Sequence, residues 1–390
     1  MMQDTITTIK AQLRTAVGAL RTELLTLSHD LHSHPEVRWQ EYRSVATITR
    51  LLAEKGFEIE QPIGGFDTAF RATSGDGSRR VGLIAEYDAL EGLGHACGHN
   101  IIASSSIGAA LVLAPLTAQL DLTVEVIGTP AEEGGGGKVY LIDQGMFDHL
   151  DIAMMIHPGP VDALWARPFA VSHFDITFIG KASHAAAYPH LGVNASDAMT
   201  VSEVAIALLR QQLPQSTRVH GIVREAGTAP NSIPDRAHAS WYVRASDLDE
   251  LETTFQRVTA CFEAGAHAAG CTVTIDETSP RYSEFRNDQV LADYFYQNAH
   301  SVGRDMDYSE TGSAGMNFAS TDMGNVSNRV RSIHPYLSIN SFPAVNHQKE
   351  FADAAATDDA DRTVLDGAFL LAATVSDYML HQKERSPETS

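Results

Sequence analysis

The chain has 390 residues, too many for one average domain and suited to two, or to one large domain with an insertion. Hydrophobic residues make up 44% and charged residues 20%, an ordinary globular composition, while 49 acidic against 28 basic side chains leave a formal charge of −21. Such a field repels nucleic acid and anionic membrane surfaces, although metals and arginines inside a cleft still allow an anionic small substrate.

The elements follow in order. Residues 8–33 read as one helix, with apolar positions recurring at three and four, interrupted by Pro35. A second helix is expected over 41–55, with Gly56 at its C-terminal cap. Residues 81–85, 122–128 and 152–156 are apolar runs of the kind buried on both faces of a sheet. Helices are expected between them at 101–116 and 138–144, so the pattern is α/β, with a central sheet flanked by helices. Near Pro168 the texture changes. Strands at 172–180, 218–225, 237–245 and 272–277 and helices at 195–213 and 248–268 give β-α-β-β-α-β, the split pattern of a ferredoxin-like α+β domain. The expected division is therefore 1–168 with 281–390, and an inserted domain over 169–280.

Only three cysteines occur, Cys97, Cys261 and Cys271, which argues against a disulfide framework and fits a reducing compartment. Residues 1–27 mix charged and apolar positions without the apolar core of a signal peptide, and no run of eighteen or more apolar residues suggests a membrane span. The expected location is cytoplasmic.

Chemistry concentrates in two motifs. His95-Ala96-Cys97-Gly98-His99 offers a thiolate and an imidazole two residues apart, in a loop after an apolar strand, where ligands gather in open α/β sheets. Pro130-Ala131-Glu132-Glu133 adds adjacent carboxylates, one able to hold a metal while its neighbour moves a proton. The bland alternatives are a buried cysteine, a structural histidine and a solvated acidic loop. Gly134-Gly135-Gly136-Gly137-Lys138 is not a phosphate loop, because Glu132 stands where that motif needs glycine and Val139 where it needs Ser or Thr. His32 and His34 are two residues apart at a helix end, so their side chains diverge. Thr311-Gly312-Ser313-Ala314-Gly315 lacks the strand-to-helix setting of a nucleophile elbow.

Taken together, Leu31-His32-Ser33-His34-Pro35-Glu36, Ala85-Glu86-Tyr87-Asp88-Ala89-Leu90, the Cys97 and Glu132 motifs, Gly180-Lys181-Ala182-Ser183-His184-Ala185-Ala186, Ala229-Pro230-Asn231-Ser232-Ile233-Pro234, Ser320-Thr321-Asp322-Met323-Gly324-Asn325 and Asn346-His347 resemble peptidase family M20. The likeness is to its amidohydrolase subfamily D, which holds aminobenzoyl-glutamate hydrolases, auxin-conjugate hydrolases and aminoacylase-like dipeptidases. The resemblance implies a homodimer with an inserted lid and dimerisation domain, and two divalent metals per subunit, Mn2+ or Zn2+, held by Cys97, His99, Glu133, His157 and His347. It implies Glu132 as general base and Asp88 as the carboxylate behind the metal loop. His184 would stabilise the oxyanion in a neighbouring subunit's site; Asn231 and Arg244 would hold substrate, and His334 would line the pocket. The implied reaction is cleavage of the amide bond of an N-acyl or N-aroyl amino acid or small dipeptide by metal-activated water. Alternatives are hydrolytic deamination of an aryl amine, or a catalytically silent amino-acid or peptide binder.

Overall fold

The computed structural model describes residues 2–308 and 319–385, so residues 311–315, weighed above, lie outside the described residues. The chain divides into two compact units, Met1–Arg167 with Phe285–Ser390, and Pro168–Glu284. In chain order the first unit carries α1 (Met2–Ala19), α2 (Arg21–Ser33), α3 (Tyr42–Glu54), β1 (Glu58–Glu60), β2 (Phe70–Ser74), β3 (Arg79–Glu86), α4 (His99–Leu113), α5 (Thr117–Leu120), β4 (Leu122–Thr129), α6 (Gly137–Asp143), β5 (Ile152–Met154) and β6 (His157–Gly159). The second unit holds β7 (Ala170–Ile179), α7 (Ala195–Leu209), β8 (Arg218–Glu225), β9 (Arg236–Ala245), α8 (Leu248–Ala269) and β10 (Thr272–Glu277). The first unit then resumes with α9 (Gln289–Ser301), α10 (Met323–Ser327), β11 (Arg331–Ile333), β12 (Tyr336–Ser338), α11 (Lys349–Ala354) and α12 (Asp358–Arg385).

The first unit is built on a mixed sheet in the order β1-β2-β4-β3-β5-β11. Strands β4, β3, β5 and β11 run parallel, while β2 pairs antiparallel with both β4 and β1. Side chains alternate between faces along each strand. Val81, Leu83 and Ala85 therefore join one buried cluster with α1, α2, α4, α9 and α12. Ile84, Ile127 and Ala153 join another with α6 and α10. The second unit is an antiparallel sheet, β10-β7-β9-β8, with α7 and α8 closing a separate core. Its β-α-β-β-α-β order is the ferredoxin-like arrangement.

Two sequence expectations are corrected. The single helix over 8–33 is two helices, because Leu20, at φ −86° and ψ 0°, carries the chain out of α1 just after Gly18, a weak helix former. Two stretches, His99–Leu120 and Asp358–Gln382, are long and apolar enough to cross a membrane, contrary to the reading of the sequence. Of their most apolar windows 72% and 83% is buried inside the structure, which is where core helices lie.

Candidate metal centre

Three parallel strands deliver the site at their carboxyl ends, the position where open α/β sheets gather ligands. Asp88 follows β3, Glu132 and Glu133 follow β4, and His157 opens β6 just after β5. Gly98 turns the chain into α4 at φ +78°, and a Cβ there would come 2.5 Å from Pro158 Cγ. This close approach seats Cys97 and His99 beside His157. The glycine run has a packing reason as well: Gly134 and Gly136 have positive φ, and a Cβ on Gly137 would stand 1.9 Å from Pro130 O.

Cys97, His99 and His157 place ligand atoms within 4.8 Å of one another, as do Cys97, Glu133 and His347, and His99, Glu132 and Glu133. Cys97 Sγ is 3.6 Å from His157 Nε2. His347 Nε2 is 3.4 Å from Glu133 Oε1. His99 Nε2 lies 3.9 Å from both Glu132 Oε2 and Glu133 Oε1. All five residues matched to ligands thus meet in one place, with Glu132 beside them.

Their outward atoms are already committed. His99 Nδ1 is 3.0 Å from Asp88 Oδ1, and His157 Nδ1 is 2.8 Å from its acceptor, Pro158 O. A proton on each Nδ1 leaves the Nε2 lone pair for the centre. Asp88 uses its other oxygen to accept from Glu133 N at 2.9 Å, so one carboxylate orients two candidate ligands. His347 N donates to Ala96 O at 2.8 Å, which ties this C-terminal candidate ligand to the Cys97 loop. Asn346 Nδ2 is 3.9 Å from Cys97 Sγ and donates to Pro158 O at 3.2 Å.

The electrostatics call for cations. Burial works against the Cys97 thiolate, yet the charge of His157 and its neighbours holds this thiol well below its ordinary value. Burial also opposes charge on His99, but Asp88 beside it holds the imidazole well above the usual histidine range. Cys97 and Glu133 push His347 up to about 11. Glu132 is raised well above the usual carboxylate range by burial and then by Glu86, Glu133 and Asp322; Glu133 is raised by burial and Cys97. Neither His99 Nε2 nor Glu133 Oε1 makes a hydrogen bond among the described residues, although both are buried. Orphaned donor atoms of this kind, converging as sulfur, nitrogen and oxygen, fit divalent ions of the zinc and manganese type.

A fourth acidic group, Glu86, Glu132 and Asp322, has its cation built in. Lys138 Nζ stands 2.6 Å from Glu86 Oε1 and 2.7 Å from Asp322 Oδ1, all three side chains fully buried. Sequence reasoning weighed Lys138 only as a phosphate-loop lysine and gave Glu86 and Asp322 no role. The one signal was the failure of that motif.

His334 lies against His157, with ring centroids 5.3 Å apart, and neither of its nitrogens has a hydrogen-bond partner among the described residues. Burial and then His157 hold it well below the usual histidine value, which favours an uncharged ring beside His157. His184, Asn231 and Arg244 belong to the second unit. His184 Nδ1 accepts from Ala186 N and Ala187 N at 3.3 and 3.1 Å, which leaves its proton on Nε2. Asn231 O accepts from Ala185 N at 2.9 Å, and the Arg244 guanidinium lies 6.0 Å from the centre of the Tyr242 ring. His32 Nε2 meets Ala352 O at 2.8 Å and His34 Nδ1 meets Asp30 O at 2.9 Å, separate partners for divergent side chains.

Residues 169–269 match the family model described as a peptidase dimerisation domain. Across 390 aligned residues, 95% of this chain and 89% of the other, the sequence is 37% identical to the Xaa-Arg dipeptidase of Mus musculus. The chain belongs to peptidase family M20. Another relative, one of the subunits of the p-aminobenzoyl-glutamate hydrolase of Escherichia coli (strain K12), is 30% identical, covering 66% of this chain and 58% of that one. The fold is shared with the Bacillus subtilis YXEP protein, a dinuclear metal binding peptidase from the M20 family, at a TM-score of 0.68 and 23% identity over 92% of this chain and 98% of that one. As a member of M20 the chain is a hydrolase of the metal-dependent peptidase and amidohydrolase class.

Proposed function

We propose that this M20 hydrolase cleaves the amide bond of a small dipeptide or N-acyl amino acid, using two divalent metals, manganese or zinc, held by Cys97, His99, Glu133, His157 and His347. The observation that carries this reading is the convergence of those five side chains on one spot, with His99 Nε2 and Glu133 Oε1 left without hydrogen bonds among the described residues. Metal bound there supplies Lewis acidity and eases the ionisation of water.

Glu132 is the base in this reading. It adjoins the ligand Glu133, and burial among Glu86, Glu133 and Asp322 raises its proton affinity. It takes the proton of the attacking water and returns it to the leaving nitrogen. Lys138 holds Glu86 and Asp322 behind it. His334 walls the site as a neutral ring. From the inserted unit of a neighbouring subunit, His184 would offer its protonated Nε2 to the oxyanion, and Asn231 and Arg244 would hold the substrate.

Among substrates, a dipeptide ending in a basic residue is favoured by two observations. The 37% identical relative is an Xaa-Arg dipeptidase. The formal charge of −21 draws cationic substrates toward the molecule. The composition and the three free cysteines support a cytoplasmic location. A homodimer is supported by the matched dimerisation domain, and by the outward apolar side chains Val201, Val204 and Leu208 of α7 and Ile222 and Val223 of the edge strand β8.

The test is a panel of Xaa-Arg and other dipeptides, N-acyl amino acids and aminobenzoyl-glutamate, assayed with manganese and with zinc. Turnover of a dipeptide with a C-terminal basic residue is expected. A folded, metal-loaded protein that hydrolyses no member of the panel overturns the reading.

A further inference from the structure

We propose that Glu41 is a positioning residue of this centre, holding from behind the turn that presents Glu132 and Glu133. The inference rests on the amidohydrolase reading above.

Glu41 is fully buried at the start of α3, far in sequence from the acidic turn. A single oxygen, Oε1, accepts from Trp39 N at 2.9 Å and from Ala131 N at 2.9 Å. Both of those residues are left-handed, Trp39 at φ 66° and Ala131 at φ 57°. A side chain with a Cβ avoids that region unless its surroundings hold it there, and neither residue is the glycine or asparagine that enters it readily. The two strained peptides thus share one buried acceptor.

Ala131 immediately precedes the proposed base and the proposed ligand. Its carbonyl accepts from Gly135 N at 3.1 Å, closing the turn, so its φ sets the direction in which the two carboxylates leave the main chain. The same segment grips the turn at a second point, since Arg38 Nη1 donates to Glu133 O at 2.9 Å. It also grips the other site loop: Ala89 N donates to Glu36 O at 2.8 Å, next to Asp88. Residues 36–41 therefore brace both loops of the centre from outside, and the Glu41 side chain makes their hydrogen bond to the Ala131 peptide itself. Glu41 Oε2 makes no hydrogen bond among the described residues. The role asks for one acceptor atom and not for a charge, which separates it from an ion-pair or proton-transfer role.

The experiment uses the full chain loaded with cobalt(II), whose visible bands report ligand geometry without turnover, together with kcat and KM on the best substrate. Glu41→Gln keeps the acceptor, and its spectrum and kcat match wild type. Glu41→Met fills the space without an acceptor; it still binds cobalt but with altered bands, and kcat falls roughly tenfold or more at nearly constant KM, the kind of loss that misplacement of a reacting group causes. Adding Ala131→Gly to Glu41→Met restores part of kcat, because glycine adopts positive φ unaided. Glu41→Asp, which withdraws the acceptor and keeps the charge, reproduces the loss, so the question is decided even if Glu41→Met does not fold. Wild-type bands and kcat in Glu41→Asp or Glu41→Met, or a Glu41→Gln variant as impaired as those two, overturn the proposal. Wild-type protein that binds cobalt and hydrolyses nothing sinks the amidohydrolase reading instead, and the spectra still decide the part played by Glu41.

Discussion

Glu132 and Glu133 are sequence neighbours in different surroundings, which is the basis of the different roles proposed for them. Glu133 has His347 at 3.4 Å and its amide fixed by Asp88, whereas Glu132 faces the buried acids Glu86 and Asp322. Replacing Glu132 by Gln keeps the shape and removes the basicity. Metal content should survive while kcat falls by roughly 10²-fold or more, the scale of a lost general base. Metal lost with kcat, measured by elemental analysis, would mean that the two roles are exchanged. Glu41 yields a second test at this scale. Burial and then Asp88 raise its pKa from 4.5 to about 7, so the folded chain holds this proton more tightly than the unfolded chain. Its contribution to stability is complete below pH 4.5 and is lost as pH rises through about 7. That shift converts to about 3 kcal/mol. In chelated protein, wild type should therefore lose about this much stability relative to Glu41→Gln between pH 4.5 and 8, read by urea unfolding. Parallel profiles would show that Glu41 titrates normally.

At the scale of elements, the parallel strands were legible because strands buried on both faces are continuous apolar runs: the reading of 81–85 and 122–128 falls inside β3 and β4. The apolar run read at 152–156 contains β5, whereas the three-residue strands β1, β6, β11 and β12 are too short to show a period. The same contrast holds in the site. Cys97 and His99 announce themselves by spacing within one loop, and the adjacent Glu132 and Glu133 do likewise. Glu86, Lys138 and Asp322 come from the end of β3, the start of α6 and the residue before α10, and no local spacing links them. Glu41 is hidden for a further reason, since its meaning depends on the backbone angles of Trp39 and Ala131. The Lys138 cluster joins these elements in the core. Burial disfavours its charge, yet Asp322 and Glu86 hold the amine well above the usual lysine value. Lys138→Met leaves those carboxylates buried without their cation, which costs roughly 3–5 kcal/mol. Denaturant unfolding should report that loss, and a change below about 1 kcal/mol would mean that the acids simply protonate.

At the scale of the whole molecule, the question is whether one chain makes one complete site. The inserted unit turns large apolar side chains to solvent: Leu208 is 69% exposed, Val204 56% and Ile222 54%. Edge strands and exposed apolar patches are costly to leave bare, and a second copy of the same unit is the covering proposed here. Val204→Glu with Leu208→Glu should convert the protein to single chains in sedimentation equilibrium. A dimer that survives both charges would place its interface elsewhere. If His184 serves a neighbouring subunit, as proposed, it couples assembly to chemistry. Its Nδ1 is engaged by Ala186 N and Ala187 N, so the remaining proton on Nε2 suits an oxyanion donor. His184→Ala should keep its metals and lose roughly 10²–10³-fold in kcat, the scale of one such donor. If that donor serves the other subunit, the charged monomer should lose activity to a similar degree, since its sites lack the histidine. Mixing His184→Ala with Glu132→Gln, both inactive alone, should then regain turnover as subunits exchange, because each heterodimer forms one site that is wild type at both positions. Verified heterodimers with no regained activity would mean that His184 acts only within its own chain, or takes no part in the reaction.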